Sequence, residues 1–372
     1  MKKYDAIFFY GGAPVPAMID MVKLAHDSGL STLMIVLDRG ENELCMDHTA
    51  HEFDTRVISV DFSHGLLRRV LSLLRIFITV FRLLRSSVKT TGYVMSSTFD
   101  TLLLVRCAFL PRSVSVRHQV RDLHRLQLID SPVARLVQAV ERVLVRKVDL
   151  LIISSQGFYD AYYKMFYGGE KVLLENMPPR ATWEGFQPSS PPIFTVGFVG
   201  IMRYADSIFK LIDVIDSVNT CDTPIRCAFF GGHMGDLLER ARDRVRDPGI
   251  FLFEGVFDYA ADIKRIYSKI SVVYAVYDKD DPNCMLAMPT KYYEAILSKT
   301  PILVAKNTHI AKVVEELGIG VGVDVNDDSL SQALTDAIHC SGWYLNAQRV
   351  LSELTAEQLH SSYERAIVKA VT

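Results

Sequence analysis

The sequence predicts an α/β protein of two parallel-sheet domains, on three observations. Short, continuous apolar runs recur along the chain. Segments of helical period lie between them. The alternation stops once, in a proline-flanked stretch near the middle, and then starts again. Continuous apolar strands are expected where both faces of a sheet are covered, and parallel neighbours need helical crossovers. A chain of 372 residues has room for two such domains. A hydrophobic share of 49% and a charged share of 23% exclude a disordered or collagen-like chain.

In order, residues 6–10 (AIFFY) read as the first buried strand and residues 16–27 as the helix after it. Strands follow at 32–37, 56–60, 93–95, 113–118 (the apolar pattern running on to Val120) and 150–154, with a helix at 132–147. Pro178-Pro179 and Pro191-Pro192 then bracket RATWEGFQPSS, which lacks periodicity and reads as a linker. The second half opens with a strand at 194–199 and a helix at 206–218. Strands follow at 226–230, 250–253, 272–276, 302–305 and 320–323. Residues 341–372 read as helical. The expected division is a first domain over 1–185, a second over 186–340, and a helical tail over 341–372 that packs back toward the first.

The net charge of -2 conceals a strong asymmetry. Residues 64–147 hold fifteen Lys/Arg and four Asp/Glu, a local balance of +11, which leaves -13 for the remainder. Within this region, residues 66–88 (LLRRVLSLLRIFITVFRLLRSSV) carry five arginines. A central arginine costs roughly 2.5–3.5 kcal/mol on insertion scales, which argues against a membrane span. At the helical period, Arg68, Arg75, Arg82 and Arg85 fall on one side, with Leu66, Leu73, Phe77, Phe81 and Leu84 opposite. This pattern predicts an amphipathic helix lying on an anionic membrane surface. The alternative is a domain helix whose apolar side packs on the sheet. The two Phe are not interleaved for base stacking, so nucleic acid is not the expected partner. The six cysteines form no CxxC pair and no zinc spacing, and no signal peptide precedes the first strand. Both point to a reducing compartment, with the cysteines as small core residues.

Glycines follow three strands: Gly11-Gly12, Gly200 and Gly231-Gly232. Each allows close backbone approach to a ligand, and the helix behind offers its N–H groups to an anion. The most informative stretch is Ala287-Met288-Pro289-Thr290-Lys291-Tyr292-Tyr293-Glu294. Pro289 suits a helix start. Lys291 then sits in the first turn, where the helix dipole disfavours a cation unless an anion binds there too. Glu294 is one turn further on.

Together these features resemble the donor-binding domain of the family-4 class of glycosyltransferases, which have the GT-B fold of two Rossmann-like domains facing across a cleft. The resemblance rests on GFVGIMRYADSIFKLID, CAFFGGHMGDLLER, MPTKYYEAILSKTPILVA and GIGVGVDVNDDSLSQAL, and more loosely on VDLLIISSQGFYDAYY and VLLENMPP in the first half. It implies a glycosyltransferase of polysaccharide or glycoconjugate synthesis that uses a nucleoside-diphosphate sugar and needs no cofactor and no metal. Gly200, Arg203, Gly231, Gly232, Pro289, Thr290, Lys291 and Glu294 would form the donor site. Glu294 would hold the ribose, and Arg203 would stabilise the leaving diphosphate. Glu294→Ala would then weaken donor binding with the fold intact. Gly11 and Gly12 would lie on the acceptor side, with Asp122 as general base and His124 as the other candidate. One departure stands out: eight positions before Glu294, where many retaining members carry a second glutamate, this chain has Leu286. Asp278-Lys279-Asp280 matches a DxD metal motif of the other glycosyltransferase fold and reads here as a polar loop, while Asn176 reads as a turn residue near the linker.

The function expected is sugar transfer to a lipid-linked or growing glycan acceptor by an enzyme of the cytoplasm, peripheral on the inner face of the cell membrane. A nucleotide-sugar epimerase of the same fold would leave the basic helix without a role. A non-catalytic scaffold would fit the missing glutamate and would bind donor without turnover.

Overall fold

The computed structural model describes residues 2–12, 16–38, 53–59, 66–109, 114–188, 190–219, 224–278 and 281–372, with backbone alone at 16–17 and 66–74. They form two compact units, Met1–Glu175 with Ser362–Thr372, and Asn176–Ser361.

The strands of the first unit are β1 (Tyr4–Tyr10), β2 (Thr32–Asp38), β3 (Asp54–Ser59), β4 (Val88–Ser96), β5 (Ser115–Val120), β6 (Leu150–Ile153) and β7 (Glu170–Leu173). Its helices are α1 (Pro16–Asp27), α2 (Leu66–Ser87), α3 (Phe99–Phe109), α4 (Arg125–Leu128), α5 (Pro132–Val145) and α6 (Gln156–Ala161). The sheet is parallel, in the order β3-β2-β1-β4-β5-β6-β7. Phe8, Tyr10, Met34, Val36, Met95 and Ile152 are fully buried in its core, as continuous apolar strands require. The edge strand β7 was not legible in the sequence, because Val172 is its single buried residue.

The second unit adds α7 (Arg180–Trp183), β8 (Phe194–Val199), α8 (Ala205–Val218), β9 (Ile225–Phe230), α9 (Leu237–Arg244), β10 (Phe251–Gly255), α10 (Tyr259–Tyr267) and β11 (Val272–Ala275). It continues with α11 (Pro282–Leu286), α12 (Thr290–Ser298), β12 (Ile302–Ala305), α13 (His309–Leu317), β13 (Gly320–Val323), α14 (Ser329–Ile338) and α15 (Gly342–Glu353). Its sheet is also parallel, in the order β10-β9-β8-β11-β12-β13. Local chemistry sets the helix limits. Asp258 and Thr308 cap α10 and α13 by accepting the N–H groups of Ala261 and Ala311, and α13 ends at Gly318 with φ 71°. The last helix, α16 (Ala356–Val371), begins in the second unit and ends in the first. Within the first unit, Arg117 donates to the carbonyls of Ala370 and Thr372, and Lys369 pairs with Glu170 at 2.9 Å.

Four sequence expectations change here. The stretch read as a linker is part of the second unit's core. Trp183 is buried against Tyr267, with ring centroids 5.3 Å apart, and Phe186 packs beside it. Two aromatic anchors dock this segment without any periodicity. Asn176 lies in an extended connection with no assigned turn, and its side chain donates to the Met288 carbonyl at 3.3 Å, just ahead of α12. Among the described cysteines Cys227 is fully buried, Cys107 and Cys284 are half-buried and Cys340 is exposed, so the core reading holds fully for Cys227 alone and fails for Cys340. Cys45 and Cys221 lie outside the described residues. On α2, the apolar side faces inward. Ile76, Val80 and Leu84 are buried, Phe77 and Phe81 are stacked on each other and half-buried, and Arg75 and Arg82 are exposed. Arg85 is half-buried, with its guanidinium 5.3 Å from the Phe81 ring centroid. The side chains of Leu66, Arg68 and Leu73 lie outside the described residues.

His118 on β5 is buried and shares a 2.9 Å hydrogen bond with Ser96. Burial lowers its pKa to about 4. In the unfolded chain it protonates near 6.5, so the unfolded state binds the extra proton between these values. Stability should therefore fall as pH drops from about 6.5 to about 4, by on the order of 3 kcal/mol, with no contribution from this group above that range. Denaturant titrations across this window should show the slope in the wild type and lose most of it in His118→Gln.

Candidate functional site

The second sheet reverses its order between β8 and β11, which opens a crevice at the carboxyl ends of these strands. Gly200 follows β8 with φ 122°, and Gly231 follows β9 with φ 131°. The loops after β8, β9 and β10 are bonded into one layer. Gly200 N–H donates to Phe230 O at 2.7 Å, Gly231 N–H to Gly255 O at 2.6 Å, and Met202 N–H to Gly232 O at 2.9 Å. A Cβ on Gly231 would stand 2.1 Å from the Gly200 carbonyl oxygen, and one on Gly200 would stand 2.9 Å from Lys291 Nζ. The backbone φ requires glycine at both positions, and at Gly231 the approach of the Gly200 carbonyl requires it as well.

α12 enters the same layer. Pro289 precedes it in extended conformation, and no side chain caps its start. An uncapped helix start presents partial positive charge. Lys291, in its first turn, reaches back to the β8 loop. Its ammonium lies 5.7 Å from the Phe198 ring centroid and 5.5 Å from that of Tyr277. Burial disfavours its charge, but attraction to Tyr277 and Glu294 outweighs this and raises its pKa. Arg203 is close enough to act on Lys291 in the opposite sense, as a second cation. The side chain of Arg203 is exposed. Two cations, glycine-lined backbone and a helix start thus meet at one end of the sheet, an arrangement suited to a multiply charged anion. Beside it lies a cavity of about 180 Å³, lined in part by Tyr204, Tyr277, Asp278, Lys306, Asp324 and Asn326.

Glu294 stands behind this layer. It is 3% exposed, and each carboxylate oxygen accepts a hydroxyl, from Tyr259 at 2.7 Å and from Tyr267 at 2.6 Å. Burial and the Glu294 charge push both tyrosines well above the usual phenol range. The carboxylate therefore ties α12 to α10, and the buried Trp183 packs against the same Tyr267. Sequence reasoning missed Tyr277, Phe198, Tyr259 and Tyr267. Tyr277 was within reach, since it directly follows a strand read as β. The other tyrosines become partners only through packing. Leu286, in place of a second glutamate, is half-buried at the end of α11. Asp278 is exposed, whereas Lys279 and Asp280 lie outside the described residues.

In the first unit, the order reverses between β1 and β4. Gly11 follows β1, and its N–H donates to Ser97 Oγ at 3.1 Å. A Cβ there would meet Thr98 Oγ1 at 2.3 Å, while Gly12 is open. Asp122 is exposed just beyond the end of β5. Arg121 beside it is pushed below its usual range by burial, against the pull of Asp122, Tyr10 and Tyr363. His124 has a structural task. It caps α4, its Nδ1 accepting the Leu126 N–H at 3.2 Å while its own N–H donates to Gln127 Oε1.

No protein-family model matches the chain. Over 263 residues, 66% of this chain, it is 23% identical to the succinoglycan biosynthesis protein ExoL of Rhizobium meliloti, and the match spans 64% of that protein's length. Among solved structures it is similar to a glycosyltransferase from Rickettsia africae (TM-score 0.71, 9% identity, all of both chains). It is also similar to HepE of Anabaena in complex with UDP (TM-score 0.70, 16% identity, 99% of both chains). A third is the lipopolysaccharide outer core galactosyltransferase WaaB (TM-score 0.66, 12% identity, 98% of this chain and 99% of that one). With two parallel sheets in the observed strand orders and full-length similarity to these structures, the chain has the GT-B fold of the glycosyltransferases.

Proposed function

We propose that the chain is a glycosyltransferase of polysaccharide synthesis. It moves a sugar from a nucleoside-diphosphate sugar to a lipid-linked or growing glycan acceptor at the cytoplasmic face of the membrane. The observation that carries this reading is the convergence of Lys291, Arg203 and the α12 start on the Gly200 loop. In the reaction, the bond from the anomeric carbon to the diphosphate oxygen breaks, and negative charge grows on that oxygen. Fixed cations and helix N–H groups stabilise this charge without reorganising. The acceptor hydroxyl forms the new bond, and its proton passes to Asp122. The ribose contact expected of Glu294 would use the second lone pair that each carboxylate oxygen keeps. HepE has been crystallised with UDP and with UDP-glucose, and ExoL serves succinoglycan biosynthesis. Both support this donor class and setting.

Calorimetric titration with UDP, GDP, ADP and CDP tests the donor site. One nucleotide should bind at micromolar affinity, and Lys291→Met should weaken it by about tenfold, as expected for loss of a charge-assisted contact. Absence of binding to all four would overturn the donor reading, whereas binding without turnover would favour a scaffold.

A further inference from the structure

α5 buries a carboxylate and leaves large apolar side chains exposed. Its inward side carries Ala134, Gln138, Glu141 and Val145. Glu141 is 1% exposed and accepts Gln127 Nε2 at 2.6 Å, Tyr162 Oη at 2.8 Å and Tyr163 Oη at 3.0 Å. Gln138 Nε2 donates to the carbonyls of Leu126 and Ile129, both at 3.0 Å. The outward side carries Val133, Leu136 and Val143, which are 62%, 66% and 56% exposed. With the half-buried Val137, Val140 and Leu144, these fall within an arc of about 120° at the helical period. Arg142 and Arg146, both exposed, run along one edge of this arc, together with Arg135, whose guanidinium donates to both Asp130 carboxylate oxygens at 2.6 and 2.9 Å.

An exposed apolar stripe edged by arginines is the pattern of a helix lying in a membrane interface. Two further observations select that occupant. First, α2 has already placed Ile76, Val80 and Leu84 inside the protein, and the exposed side chains described on it are Arg75, Ile78, Thr79 and Arg82, two of them cations. α3 packs against both α2 and α5, so the arginines of α2 and the apolar face of α5 belong to one group of neighbouring helices. Second, this region carries the local charge of +11. A second copy of the chain would bring like charges together, whereas an anionic surface complements them.

We propose that α5 is the lipid-contacting element of the first unit. Val133, Leu136 and Val143 dip into the headgroup boundary of an anionic bilayer, and Arg142 and Arg146 meet lipid phosphates. This rests on the reading that the enzyme works at a membrane, and it moves the apolar contact from α2 to α5.

The test is flotation of the full chain with vesicles of equal parts phosphatidylcholine and phosphatidylglycerol, and with phosphatidylcholine alone. The wild type should float with the anionic vesicles only. A Val133→Ser, Leu136→Ser, Val143→Ser triple variant should lose at least about tenfold in affinity, with its thermal midpoint and nucleotide binding unchanged. A Leu136→Trp variant should shift its fluorescence to the blue on the anionic vesicles. A triple variant that floats like the wild type would overturn the role of α5 and leave the membrane reading standing. A wild type that floats with neither vesicle would overturn the membrane reading, and this inference with it. If the wild type is a dimer that the triple variant renders monomeric, with flotation unchanged, the face is a contact between copies and the proposal fails.

Discussion

Glu294→Ala is expected to cost about 3–5 kcal/mol of stability, since each hydrogen bond to a buried charge contributes roughly 1.5–3 kcal/mol. The sequence alone pointed to a donor-site residue that alanine would remove with the fold intact. The structure shows a carboxylate that is 3% exposed and holds the hydroxyls of Tyr259 and Tyr267. Alanine would leave both hydroxyls buried without their acceptor and open a small cavity beneath α12. Glu294→Gln keeps the shape and one acceptor oxygen, so it should lose less than half as much. Urea unfolding of the three proteins decides the matter. An alanine variant as stable as the wild type would show that the carboxylate does not hold α12 to α10. Any loss of nucleotide affinity should accordingly be read from the glutamine variant.

Lys291→Met is expected to lower turnover by about 10²–10³-fold, the usual cost of removing one fixed group that stabilises charge in a transition state. Methionine retains the length and apolar contacts of the side chain, so packing against Phe198 and Tyr277 should survive. Arg203→Met should cost less, because its side chain is exposed and water screens its charge. Initial rates of nucleotide release with acceptor present measure both. If Lys291→Met turns over as fast as the wild type, the leaving diphosphate is not stabilised from the α12 start.

Much of the architecture was legible in the residues. The runs AIFFY, TLMIVL and ILVA are continuous and apolar because both faces of each sheet are covered. Such strands announce themselves without knowledge of their neighbours. Strands at 194–199, 302–305 and 320–323 appear in the structure with the limits the sequence predicts. Gly200 and Gly231 were legible as backbone positions, since only glycine accepts their φ. Lys291 was legible as an anomaly, a cation where the helix dipole disfavours one.

What the sequence determined by itself was therefore local: apolar run length, turn chemistry, and a charge misplaced along its own helix. Tertiary structure decided the rest, because burial depends on which residues distant in sequence come together. Tyr259, Tyr267 and Trp183 became supports of Glu294 only once α7 and α10 packed beside α12. α2 and α5 show the same limit most clearly. Residues 66–88 read as an amphipathic helix and 132–147 simply as a helix, and periodicity says only that a helix has two faces. It was the packing of Ile76, Val80 and Leu84 inside, and of Glu141 against two tyrosines, that buried one apolar side of α2 and left Val133, Leu136 and Val143 of α5 outside.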